Sequence, residues 1–384
     1  MRKKRILKEI TRPARESRAA PLIKSTESWR KVWWGMPEYI QRDVSPQFQV
    51  TLNFVTREDM RKFEELTGCK ILRQNSAWFP NQPAIEQGVY CYDGPPTDSK
   101  YPVCIPSKGR AKNQSTGRVL AGMGVSHKFF VEETEADEYI EQLGEDRVVA
   151  MPFHDLGKGS IPARNFIWNW SREREFKRHW IMDDNIVDFG RTNFNRRLIV
   201  RGGGFFQAME NFVDRYENVV MAGPHNRAFI TDRLPVAPYI FNHRVYSCIL
   251  LDNSLNTKWR GKYNEDTDLS LRLLKKGYCT LLFRALFMSK AQTHKGDGKS
   301  GIKGGNTDNV YEEGDYRLKF AKSLQKQHPD VVKIAWRFGR WHHSVNYDKF
   351  KNKPILRDGV VPIAESNEYE MFLSKKEKGE SDAG

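Results

Sequence analysis

The chain has 384 residues, a formal net charge of +15, 39% hydrophobic residues and 12% aromatic residues. At about 100–200 residues per domain this length allows two or three domains, and the apolar content excludes a disordered basic tail. The charge calls for an anionic partner, nucleic acid first, with simple solubility as the alternative, and no run approaches the ~18 apolar residues of a membrane span.

Residues 1–28 carry Arg2, Lys3, Lys4, Arg5, Lys8, Arg12, Arg15 and Arg18 and read as a flexible arm, solvated or touching nucleic acid. No apolar run follows this basic start, so it is not a secretory signal. Residues 29–95 read as a small α+β module. Phe48–Phe54 alternates like a strand. Thr56 with Asp59 three residues on marks a helix start, Gly68 ends that helix, and Lys70–Leu72 begins another strand. Asp93–Ser99 (DGPPTDS) is a boundary by composition.

From 96 to 310 short apolar runs alternate with helical patterns, which argues a Rossmann-like, mostly parallel, doubly wound α/β sheet. Predicted strands are Tyr101–Ile105, Lys128–Val131, Arg147–Phe153, His179–Met182, Val219–Ala222, Arg244–Leu251 and Cys279–Phe283. Predicted helices are Glu135–Leu143, Ala163–Arg178, Phe205–Tyr216 and Asp266–Lys276. Residues 311–372 form an extension with a helix at Gly314–His328 and strands near Val332–Trp336 and Trp341–Tyr347; residues 373–384 read as a disordered tail. The cysteines (69, 91, 104, 248 and 279) are odd in number and widely spaced without CxxC, which fits a reducing cytoplasm better than a disulfide framework or a zinc site.

Chemistry gathers at strand ends. Trp180-Ile-Met-Asp183-Asp184-Asn185 places two adjacent carboxylates where open α/β sheets bind ligands. Such a pair is costly without a balancing cation, and Mg2+ or Mn2+ with a diphosphate is the simplest balance; the alternative is a pair capping the next turn. Glu265 and Asp266 open a helix, either as helix-dipole partners or as carboxylates facing an acceptor hydroxyl. His294 enters a Gly-rich loop that runs through Gly305, where it could complete a metal shell. Ser107 and Arg110 in the loop Pro106-Ser-Lys-Gly-Arg110, and Arg164 behind Gly157-Lys-Gly-Ser160, suit phosphate and nucleotide contacts, although no P-loop is present. Arg201-Gly-Gly-Gly204 is a similar contact or a plain turn, and Gly223-Pro-His225-Asn226 is a turn or part of the site's mouth. Trp168, Trp170, Arg172 and Arg174 could brace nucleic acid, or form a helix with buried Trp and exposed Arg.

The ordered set IPSKGR, the ARN helix start, WIMDDNI, GPHN, NEDTDLSLRLLKKG and a late His resembles the TET/JBP-associated glycosyltransferases of tailed phages. That resemblance implies a GT-A fold and transfer of a sugar from a nucleotide sugar, UDP-linked in the simplest case, to a hydroxymethylated pyrimidine such as 5-hydroxymethylcytosine in double-stranded DNA. It implies that Asp183 and Asp184 are the metal and diphosphate carboxylates, that Arg110 and Arg164 touch the nucleotide, that Glu265 or Asp266 faces the acceptor, and that His294 is a metal ligand. Metal binding thus falls to Asp184 and His294, and donor binding to Ser107, Arg110, Arg164 and Asp183. A non-DNA acceptor and a non-catalytic DNA-binding protein remain the alternatives.

Overall fold

A computed structural model describes residues 29–71, 77, 79, 90–261, 263–291 and 316–375. The basic arm and His294 lie outside the described residues. In chain order the elements are α1 (Arg57–Thr67), β1 (Tyr90–Asp93), β2 (Val103–Pro106), α2 (Ser115–Gly122), β3 (His127–Glu132), α3 (Ala136–Leu143), β4 (Val148–Met151), α4 (Ile161–Glu173), β5 (Arg178–Met182), β6 (Ile186–Asn193) and β7 (Arg196–Ile199). There follow α5 (Gly204–Asp214), β8 (Val219–Asn226), β9 (Tyr239–Phe241), β10 (Cys248–Asp252), α6 (Glu265–Lys275), β11 (Cys279–Lys290), α7 (Tyr316–Gln327), β12 (Val332–Arg337), β13 (Arg340–Val345) and β14 (Phe372–Lys375).

One sheet organises these elements, in the order β4-β3-β2-β5-β10-β8-β11-β6-β7. Strands β4, β3, β2 and β5 are mutually parallel. Strand β10 runs antiparallel between β5 and β8, and β8 pairs parallel with β11. Hence β2, β3, β4, β5, β8 and β11 share a direction, and their carboxyl ends form one rim. Alternation along each strand splits the core in two. Val103, Ile105, Trp180, Met182 and Leu250 face α2, α3 and α5 through Leu120, Tyr139 and Phe206. Cys104, Ile181, Ile249 and Leu251 face α4 and α6 through Ile167, Trp168, Leu269 and Leu273. This is the Rossmann-like α/β core that the alternating pattern predicts.

The segment before 95 departs from expectation. Trp33, Met36 and Tyr39 are buried in the main core, and Trp33 stacks on Tyr239 at 5.9 Å. Residues 29–39 are therefore an extension of the main core and not part of a separate module. Phe48–Phe54 is not a strand: Phe48 and Val50 are exposed, and among the described residues no strand pairs with this segment. No strand forms at Lys70 and Ile71 either; Leu72 lies outside the described residues. The α1 helix has the anticipated start, a reciprocal Thr56–Asp59 capping box, and ends at Gly68 in the left-handed region.

The boundary expected at 93–99 and the first three residues of the expected tail are also built into the fold, while residues 376–384 lie outside the described residues. Strand β1 pairs antiparallel with β14, so residues 373–375 are a strand rather than a disordered tail. Beside it, a Cβ on Gly203 would lie 1.7 Å from the Thr97 carbonyl oxygen, and one on Gly204 would lie 2.1 Å from that of Tyr369. Arg201–Gly204 is thus a crossing of three backbones at the start of α5 and not a phosphate loop. The extension from 316 packs on the domain through a small third cluster, in which Leu324, Val331 and Val332 meet Leu271 of α6. All five cysteines are buried and free.

Candidate active site

The rim where β5 ends holds the acidic pair. Apolar residues fix β5 between β2 and β10, so the chain leaves the sheet at Asp183 with its backbone N–H donating to the Ser247 carbonyl (2.8 Å). Helix α2, which the sequence pattern did not reveal, secures the turn. The Thr116 hydroxyl donates to the Asp183 carbonyl (2.7 Å) and accepts from the Ile186 N–H (2.8 Å), while the Ser115 hydroxyl donates to the Asp184 carbonyl (3.2 Å).

The two carboxylates have different surroundings. Asp184 is buried, with its Oδ1 held by Arg110 and its Oδ2 accepting from the Ser107 hydroxyl (2.7 Å). Tyr139 joins this group, its hydroxyl 2.8 Å from that of Ser107 and accepting the Arg110 N–H at 3.0 Å. Burial pushes the Asp184 carboxyl up, against the pull of Arg110 and Ser107. Asp183 is partly exposed. Its Oδ1 accepts from Arg164 (3.1 Å) and its Oδ2 from Lys290 (2.6 Å). Burial works to raise its carboxyl, but Lys290 and Arg164 outweigh it and bring the carboxyl down to about 2.

Arg164 links this pair to the second acidic cluster. Its Nε lies 3.7 Å from Glu265 Oε1 and bonds the Ser160 hydroxyl (3.2 Å), which itself donates to Glu265 (3.1 Å). The guanidinium lies over the Trp259 ring at 4.8 Å, which holds it in place. Burial is the main force raising the Glu265 carboxyl above the usual glutamate range, with Arg164 opposing it. Asp266 turns back to its own helix end, accepting from the Thr267 N–H at 2.6 Å. Further along α6, Asp268 is a structural anchor that accepts from Arg260 (3.0 Å), Arg272 (2.8 Å) and His328 (2.8 Å).

Of the residues singled out from sequence, Ser107, Arg110, Arg164, Asp183, Asp184 and Glu265 therefore converge. Two roles change. Arg110 and Ser107 are spent on Asp184, so in this structure they brace the strand end. All four oxygens of the Asp pair already face a protein donor, so a cation at Asp184 would have to displace Arg110 or Ser107. His294, the other metal ligand expected from sequence, lies outside the described residues. Lys290 was missed. Its signal was a lone cation closing the apolar run Leu286-Phe-Met-Ser-Lys290, on the strand whose carboxyl end shares the rim. Trp168 is buried, and Arg172 lies over it at 4.9 Å while bonding the Asn253 carbonyl, so these two residues brace the core.

The TET-associated glycosyltransferase family matches residues 101–299, just over half of the chain and the same span that holds the β5 rim, Arg164, Glu265 and Lys290. The chain belongs to this family. It is a glycosyltransferase, and its donor is a nucleotide sugar. No curated protein matches it. Among the described residues no helix is long and apolar enough to cross a membrane.

Proposed function

We propose that this glycosyltransferase moves a sugar from a UDP-linked donor to 5-hydroxymethylcytosine in double-stranded DNA. The observation that carries the reading is the shared guanidinium: Arg164 touches both Asp183 and Glu265, so a donor diphosphate and an acceptor hydroxyl meet across one side chain. The DNA acceptor is supported by the net charge of +15 and by the TET association in the family's description.

In this reading Arg164 and Lys290 receive the negative charge of the departing diphosphate, and Asp183 holds both cations at the rim until the donor arrives. The bond from the anomeric carbon to the diphosphate oxygen breaks and a bond to the acceptor oxygen forms. Glu265 takes the hydroxyl proton; burial lifts its carboxyl toward working pH, which suits a general base. Because protein donors already face every oxygen of Asp183 and Asp184, no step is routed through a divalent cation.

The test mixes purified protein with UDP-sugars and hydroxymethylated DNA, once with a chelator and once with Mn2+. UDP release that depends on the modified DNA is expected in both. Release with glycan or protein acceptors but not with DNA would overturn the acceptor assignment.

A further inference from the structure

A hairpin outside the family-matched span spends stability in three places. Strands β12 and β13 pair with Val332 opposite Val345, Trp336 opposite Trp341 and Arg337 opposite Arg340, leaving the two-residue turn Phe338-Gly339. Both turn residues have positive φ, 52° and 70°. Glycine adopts this conformation freely, but a bulky aromatic residue does not, and two-residue turns of this kind favour Asn or Asp at the first position. The Phe338 side chain gains no burial in return, since it is 90% exposed. Opposed Arg337 and Arg340 repel each other across the ladder. Trp336 is 59% exposed and lies edge-on to its cross-strand neighbour Trp341, at 5.0 Å.

The pleat sorts these residues. One face carries Val332, Ile334, Trp336, Trp341, His343 and Val345; the other carries Lys333, Arg337, Arg340 and His342. The base of the aromatic face packs on α6 through Val332 and Val345, and His343 lies in electrostatic reach of Asp266 and Arg244. Phe338 stands about 20 Å further along, six residues at ~3.3 Å each. The hairpin thus lies along α7, and its base shares a small apolar cluster with Leu271 of the helix that bears Glu265.

A backbone strained to present an aromatic side chain, flanked by cations and joined to the acceptor side of the site, matches one partner chemistry. Bases offer flat faces for stacking and phosphates offer charge on either side of each step. We infer that the β12–β13 hairpin is a DNA wedge: Phe338 inserts between base pairs beside the target nucleotide, Trp336 backs it, and Arg337 and Arg340 bind the flanking phosphates. The insertion opens the stack so that the modified base can swing toward Glu265. This inference rests on the proposed DNA acceptor.

The experiment measures binding to duplex and single-stranded DNA containing hydroxymethylcytosine, with 2-aminopurine next to the modified base. Phe338→Asn should weaken duplex binding about tenfold and abolish the 2-aminopurine fluorescence rise. The same change should leave the melting temperature equal or higher, because Asn tolerates the left-handed conformation. Joint Arg337→Ala and Arg340→Ala should reduce the slope of log affinity against log salt by about two. Hydrolysis of the UDP-sugar without DNA should be unchanged in all variants. Duplex binding and salt slope equal to wild type in these variants would overturn the wedge, as would an effect confined to single strands. If the wild-type protein shows no DNA-dependent UDP release at all, the acceptor assignment fails and the wedge falls with it; if release persists while the variants bind normally, only the wedge fails.

Discussion

Strand β5 is five residues, about 16 Å, long and carries buried charge at both ends. At its start Arg178, wholly buried, meets Asp214 (3.3 Å) and Asp252 (3.4 Å), and Asp214 also takes Lys100 (2.6 Å) and the Tyr101 hydroxyl (2.7 Å). At its end Asp183 and Asp184 take Arg164, Lys290 and Arg110. The side-chain types are the same, and a cavity of about 550 Å³ even opens at the lower end beside Lys177, Asp252 and Arg357. What differs is the company. The lower cluster ties α5, β10 and the Lys100–Tyr101 segment to β5, all fixed by the core. The upper one sits where parallel strands end, with Asp183 partly exposed and Arg164 reaching a second acidic group. A buried ion cluster does not mark a site; its place at the carboxyl rim of the sheet does.

Variants at the two ends should separate sharply. The largest effect is expected for Glu265→Gln. It keeps a partner for the Ser160 hydroxyl but removes the base, and kcat should fall about 10³-fold (~4 kcal/mol) with the melting temperature unchanged. A base at Glu265 must act deprotonated, so under the proposed role kcat/KM should rise with pH through a limb above the usual glutamate range; that limb should vanish in the variant. A similar loss of stability in Glu265→Gln would make the upper end structural too.

At the lower end Asp214→Asn should do the reverse. It leaves Arg178 undercompensated in the interior, and a denaturant titration should show unfolding easier by about 3 kcal/mol while kcat of the folded enzyme stays put. Lys290→Ala comes next. Losing one cation at the diphosphate should lower kcat/KM about 10²-fold (~2.7 kcal/mol) with little change in stability. The smallest effect is expected from chelation, less than tenfold, because protein donors already occupy the acidic pair. A chelator that abolishes turnover would show that the ion pairs at Asp183 give way to a metal.

The sequence itself determined the alternating core and the helix and strand carrying Glu265 and Asp183, because apolar periodicity is local and survives any packing. The adjacent acids were visible for the same reason: their position at the end of an apolar run is a one-dimensional fact. Only the tertiary structure decided which cations face which oxygens. Lys290 is 107 residues from Asp183, and it reaches that carboxylate because β11 pairs antiparallel with β6, which sets Lys290 opposite Ile186, three residues beyond Asp183. It also decided that residues 29–39 complete the core and that the triple glycine is a backbone crossing, since both depend on which distant segment comes to lie alongside. Pattern tells a side chain which way to point, while its partner is chosen by the closing of the sheet.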